Sequence, residues 1–193
     1  MGSPLGPLIA NAFMCSIEDR LQDQGKLPEF YKRYVDDTLS IMPNFETAEA
    51  FLSSLNESHP SVSFTMKLGK HSKLPFLGTK IRKCNGRLET RVYRKPTDTG
   101  LLLHYKSQVD DRYKKSLLKT MLDRAFKMSS TWQRFHLECD RLTQTFSRLQ
   151  YPAQLLQSSI SNFVTKKVSG DPISTRGCNI NEAPVWIVLP FKD

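Results

Sequence analysis

No run of this sequence approaches the roughly 18 consecutive apolar residues that a membrane-spanning helix needs, and the mean hydropathy is −0.42. The first residues also lack the basic, apolar and small-residue order of a secretory signal. A soluble intracellular protein, nuclear in location and without a membrane partner, is the expectation. Cysteine is sparse: Cys15, Cys84, Cys139 and Cys178 form no Cys-x-x-Cys pair, and no histidine cluster accompanies them. That pattern excludes a zinc-finger frame, and the thiols read as reduced and mostly packed. Acidic residues are the scarcer charge, 19 against 28 Lys and Arg, for a net +9 and a pI near 9.5. Such a balance favours polyanionic partners, nucleic acid or an anionic membrane surface. What is present suffices for a core: 193 residues, 39% of them hydrophobic, make one large domain or two small ones.

Glycine and proline punctuate Met1 to Leu8, after which Ile9, Ala12, Phe13, Ile17 and Leu21 recur at helical spacing, with Pro7 in the first turn. Phe30 to Met42 reads as two aromatic and β-branched runs around a pair of acids, the pattern of a β-hairpin with Asp36 and Asp37 at its turn. A helix is expected over Phe45 to Leu55. Strands follow over Val62 to Leu68, Leu74 to Arg82 and Arg87 to Tyr93, the last two joined by an Asn85-Gly86 turn signal.

No glycine or proline occurs between Gly100 and Pro152, and the period there is helical. One helix is expected over Asp110 to Met128, with its acids at the positive end. A second begins at a capping box, Ser130 to Gln133, and carries Phe135, Cys139, Leu142, Phe146 and Leu149 on one stripe. A third opens after Tyr151-Pro152, with Leu155, Leu156, Ile160, Phe163 and Val164 on its apolar face. The fold class is therefore α+β: residues 1–100 form an antiparallel sheet with helices, 101–168 a three-helix bundle, and 169–193 a linker in which only Val185 to Leu189 looks strand-forming.

Adjacent aspartates at a hairpin tip suit a divalent metal, because the turn projects both carboxylates while the strands hold them rigidly. Two Mg²⁺ ions are the usual solution for nucleotidyl transfer. A solvated turn is the ordinary alternative, since Asp is a common turn residue.

The order of motifs narrows the choice. Gly2-Ser3-Pro4-Leu5-Gly6-Pro7-Leu8 leads into a helix, Tyr34-Val35-Asp36-Asp37 follows, and then comes Leu74-Pro75-Phe76-Leu77-Gly78. This resembles reverse transcriptases. With Tyr93-Arg94-Lys95-Pro96-Thr97-Asp98-Thr99-Gly100 and Leu103-His104-Tyr105-Lys106-Ser107, it is similar to the enzymes of Penelope-like retroelements over about residues 1–165, most specifically in the first 105.

The resemblance implies a partial palm followed by a helical, helix-turn-helix-like thumb. It makes Asp36 and Asp37 the catalytic and metal-binding pair for two Mg²⁺ ions. Gly2, Ser3, Pro4 and Tyr34 would lie at template and nucleotide, and Phe76, Leu77 and Gly78 would form the primer grip. RNA template, DNA primer and deoxynucleoside triphosphates are the implied partners of the complete enzyme.

The departures from that family also count. Its palm carries another aspartate on a strand before the Gly-rich turn, and none is found here. The chain by itself is therefore expected not to extend a primer. No GIY-YIG endonuclease signature is present either.

Charge points to the helical part, where 12 Lys and Arg face 5 Asp and Glu between Leu101 and Gly170. Arg112, Lys114, Lys115, Lys119, Arg124 and Lys127 share one expected helix and suit phosphate contacts, joined by Arg94 and Lys95. A merely solvated basic face is the alternative. Lys70 is a weaker candidate, for protonating pyrophosphate. His104 and Trp132 read as packing residues. Two other readings stand beside the polymerase fragment: a non-catalytic nucleic-acid-binding module, and the remnant of a decayed element.

Overall fold

The computed structural model describes residues 4–69, 71–84, 87–170 and 185–189, for 170 and 185–189 the backbone alone. The chain forms two compact units, Met1–Leu77 with Asn179–Asp193, and Gly78–Cys178. The α+β class expected from the sequence is what the chain adopts.

In the first unit, α1 (Gly6–Asp23) has proline in its first turn, where a missing N–H costs nothing. The hairpin β1 (Phe30–Tyr34) and β2 (Asp37–Met42) follows, then α2 (Phe45–Glu57), whose Asn44 cap accepts the Thr47 N–H at 2.8 Å. β3 is only Lys67–Leu68, and β4 is Lys73–Phe76. Ile17, Leu21, Met42, Ala48, Phe51, Leu55, Val62 and Phe64 make the core. Each of these side chains except the small Ala48, fully buried, contributes about 1.5–3 kcal/mol.

Three expectations change here. The apolar stripe of α1 is buried only at Ile17 and Leu21, while Leu8 and Ile9 are 64% exposed. The strand expected from Val62 shrinks to two residues because Asn56 of α2 takes both backbone groups of Phe64. Its Oδ1 accepts the Phe64 N–H at 2.7 Å, and its Nδ2 donates to the Phe64 carbonyl at 3.3 Å. The Phe64 N–H is thereby taken out of any ladder, and Phe64 makes no more than an isolated bridge. The single strand expected over Leu74 to Arg82 is broken by a turn at Leu77 (φ 45°) and Gly78 (φ 74°).

The carboxyl-terminal segment, expected as a linker, supplies a strand. β7 (Val185–Leu189) lies between β2 and β3, antiparallel to both, giving the order β1-β2-β7-β3.

The second unit opens with the hairpin β5 (Thr79–Cys84) and β6 (Arg87–Val92), paired from Thr79↔Val92 to Cys84↔Arg87. Its turn residues Asn85 and Gly86 lie outside the described residues. Helices α3 (Asp111–Met128), α4 (Trp132–Arg148) and α5 (Ala153–Gly170) follow. Asp110 caps α3 by accepting the Arg112 N–H at 2.7 Å. α4 is capped by Thr131, one residue beyond the expected Ser130, so residue N3 is Arg134 and Gln133 makes no reciprocal box. Its stripe buries Phe135, Cys139, Leu142 and Phe146 as expected, with Leu149 partly buried. Phe126, Trp132, Phe135 and Phe163 pack edge-on or stacked, with centroids 5.6–5.9 Å apart.

These helices are not a bundle standing apart from the strands. Ser130, in the turn between α3 and α4, donates its N–H to the Thr90 carbonyl at 3.1 Å, and its Oγ accepts the Thr90 N–H at 3.0 Å. Val92 lies in the helical core, Arg134 pairs with Glu89 at 2.9 Å, and Arg94 pairs with Glu138. The change of period near Gly100 is real, but compactness divides the chain at Leu77/Gly78.

Candidate functional site

Two surfaces collect the chemistry-bearing residues. In the first, β1 and β2 pair through Tyr34↔Asp37, so the turn is Val35-Asp36, with Asp36 exposed at its tip and Asp37 opening β2. Val35 has φ 57°. A β-branched residue seldom adopts that region, and it persists only where its surroundings impose it. The two-residue connection between β1 and β2 itself calls for a positive φ at its first residue, and Arg33 ties the turn to α1. Its Nη1 donates to the Val35 carbonyl at 3.3 Å and to Asn11 Oδ1 at 3.0 Å. Its Nε and Nη2 form a fork on Glu18 of α1 at 2.5 and 3.1 Å.

The Arg33 side chain is 9% exposed. The bond to Glu18 raises its pKa, against the opposing effect of burial. Tyr31 also donates to Glu18, at 2.9 Å, and burial followed by the Glu18 charge pushes the phenol well above its usual range. Helix α1 thus holds the aspartate turn through one partly buried network, a device absent from the expected site residues. The alternation of Tyr31 and Arg33 on β1 was the available signal.

Two carboxylates offer a divalent ion part of a ligand set. Among the described residues no group of three or more His, Cys, Asp or Glu could hold a metal. The described residues therefore do not by themselves fit a pair of Mg²⁺ ions.

Of the other expected residues in this unit, Gly2, Ser3 and Lys70 lie outside the described residues. Pro4 is exposed just before α1. Tyr34 is 63% exposed, so it is not a core residue. Phe76 is half-buried and ends β4, and Leu77 is exposed in the turn. Gly78 opens the second unit, where its positive φ favours glycine; an added Cβ would stand 2.8 Å from Nη2 of Arg124, the end of a flexible side chain that can shift.

The second surface lies on α3. Arg112, Lys115 and Lys119 are exposed at helical spacing, and none has an acidic partner in ion-pair contact among the described residues. Arg112 lies over the exposed Tyr113 ring at 5.7 Å. Lys127 is exposed but engaged with Asp123 at 2.7 Å. Arg124 is exposed with its guanidinium against Gly78.

Two members of the expected set are corrected. Lys114 is 6% exposed, pairs with Asp111 at 3.0 Å and sits over the Tyr105 ring, so it is structural. Arg94 is tied to Glu138, whose hydrogen bond raises its pKa, and to Asp98 at 3.8 Å. Lys95 is exposed in the segment after β6. His104 is half-buried and accepts the Lys106 N–H, and Trp132 packs against the helical core.

A family model described as "Animal helix-turn-helix domain" matches residues 101–161, which takes in α3, α4 and the first half of α5. No curated protein and no solved structure matches the chain. No helix of the described residues is long and apolar enough to cross a membrane.

Proposed function

We propose that this chain binds nucleic acid through its helical unit, touching phosphates with Arg112, Lys115 and Lys119. The observation that carries this reading is the basic face of α3 inside the segment matched to a helix-turn-helix domain. Phosphate neutralisation is the main sequence-independent source of such affinity, and it weakens as salt rises. Titrating a blunt DNA duplex from about 50 to 200 mM salt tests it, with a steep fall in affinity expected. Reversing Lys115 and Lys119 to Glu should weaken binding at least tenfold, by roughly the two lost contacts, and flatten the salt slope by about 0.9 for each. Equal affinity and slope in the double variant would reduce the α3 face to a solvated one.

Within this reading, the chain is the palm and thumb part of a reverse transcriptase of Penelope-like type, with RNA template, DNA primer and deoxynucleoside triphosphates as partners. Its support is the order of the Gly-rich turn, the Asp36-Asp37 hairpin and the Phe76-Leu77-Gly78 turn, joined by the strained Val35 backbone at the aspartates. Mg²⁺ would be held by Asp36 and Asp37 together with a further carboxylate. A chimera with the fingers and palm strand of a related enzyme should extend a primer in Mg²⁺ and lose that activity in Asp36→Ala. Extension that survives Asp36→Ala sinks the aspartate assignment. A non-catalytic binding module is the second reading, favoured by the lack of a third metal-ligating group beside the aspartates among the described residues. A chimera that binds duplex yet never extends a primer decides for it.

A further inference from the structure

We infer that the β5–β6 hairpin is a second phosphate-binding element, with Arg82, Arg87 and Arg91 as its contacts, so that helix and hairpin grip nucleic acid together. This rests on the nucleic-acid-binding reading above and adds to it a strand element that lies before the helix-turn-helix match.

Register and burial divide the hairpin into two faces. Ile81 and Val92 are buried, and with them go Thr79, Thr90, Lys83 and Leu88, because Thr79 pairs with Val92, Ile81 with Thr90 and Lys83 with Leu88. The opposite face carries Lys80↔Arg91, Arg82↔Glu89 and Cys84↔Arg87. It is therefore a basic face with one carboxylate, and that carboxylate is already bound: Glu89 accepts from Arg134 of α4 at 2.9 Å. Arg82, Arg87 and Arg91 have no acidic side chain within ion-pair distance among the described residues.

Position strengthens the case. The Thr90–Ser130 backbone and hydroxyl bonds fasten β6 to the turn between α3 and α4, so the hairpin and the basic helix belong to one compact unit. Guanidinium forks match phosphate oxygens in pairs, which suits arginine to this task better than a solvating role. A face kept basic while its only acid is withdrawn, on an element held to a helix-turn-helix turn, fits a polyanionic backbone.

The test uses the full chain and a blunt DNA duplex, with binding followed by anisotropy across a salt series. The triple variant Arg82→Ala, Arg87→Ala, Arg91→Ala should bind at least tenfold more weakly, with the slope shallower by about 0.9 for each lost contact. The triple Arg→Lys variant, which keeps the charges, should retain most of the slope, an outcome that a purely structural role does not produce. Thermal melting of each variant shows that the hairpin is still folded. Wild-type affinity and slope in the alanine triple, while Lys115→Glu with Lys119→Glu still weakens binding, overturns the hairpin inference and leaves the helical reading standing. Absence of duplex binding by the wild-type chain overturns both.

Discussion

The two units use charge in opposite ways. Residues 1–77 and 179–193 hold 8 Lys and Arg against 11 Asp and Glu, a net −3, whereas residues 78–178 hold 20 against 8, a net +12. The overall +9 conceals this split. In the acidic unit the most structured charge is turned inward, where Arg33 and Glu18 hold the Val35 turn. In the basic unit a few ion pairs tie hairpin to helices, and other cations are left exposed on α3 and the hairpin. Charge that positions a backbone needs burial to be strong, while charge that meets a polyanion needs to stay in water until the partner arrives.

The largest test of this contrast concerns the basic unit's independence as a core. Phe135 is fully buried among Phe126, Trp132 and Phe163, so Phe135→Ala should cost about 3–5 kcal/mol. Helical circular dichroism should show an early melt, and an unchanged one would mean that this core does not hold the helices.

In the acidic unit, Glu18→Leu leaves Arg33 partly buried without its partner, and urea unfolding should show a loss of about 3 kcal/mol. Adding Arg33→Met should recover much of it, because the stranded charge rather than the missing bond carries most of the cost. A double variant no better than the single one refutes that division.

Relieving the turn should act in the other direction. Val35→Gly removes the left-handed strain and should stabilise the first unit by about 1 kcal/mol, net of the entropy of glycine. A destabilised variant would show that the Val35 side chain contributes more than its backbone costs.

The smallest effect concerns Cys139, whose thiol is pushed up to about 12 by burial first, then by Asp140 and Glu138. Its folded pKa lies above the unfolded one, so its contribution to stability is whole below about pH 8.5 and is lost as pH rises toward 12. Cys139→Val should flatten the alkaline fall in melting temperature. In native protein at pH 8, a thiol reagent should label the half-exposed Cys15 and Cys84 well before Cys139.

Much of the fold was legible in order. The helical stripe from Phe135 to Phe146, the start of α3 at its acids and the aspartate hairpin follow from spacing and local chemistry. Less was legible of the site. Lys114 stands in a run of basic residues that looks uniform in sequence, yet its place on the helix turns it toward Tyr105, while Lys115 faces water. Arg94 reads as a free cation until Glu138, 44 residues on, takes it. Arg82, Arg87 and Arg91 are plain in the sequence, but only the strand register puts them on one face of the hairpin.

What the sequence by itself determined are features set within a few residues: helix and strand period, a hairpin at the aspartates, the neighbourhood of the helix starts and the overall sign of charge. Tertiary structure alone decided which cations remain exposed, that Arg33 ties the aspartate turn to α1, that Val185–Leu189 enters the sheet between β2 and β3, and that the hairpin belongs with the helices. Those outcomes depend on partners tens of residues away. Burial and ion pairing act through space, so a local pattern can fix an element's type without fixing what its side chains will meet.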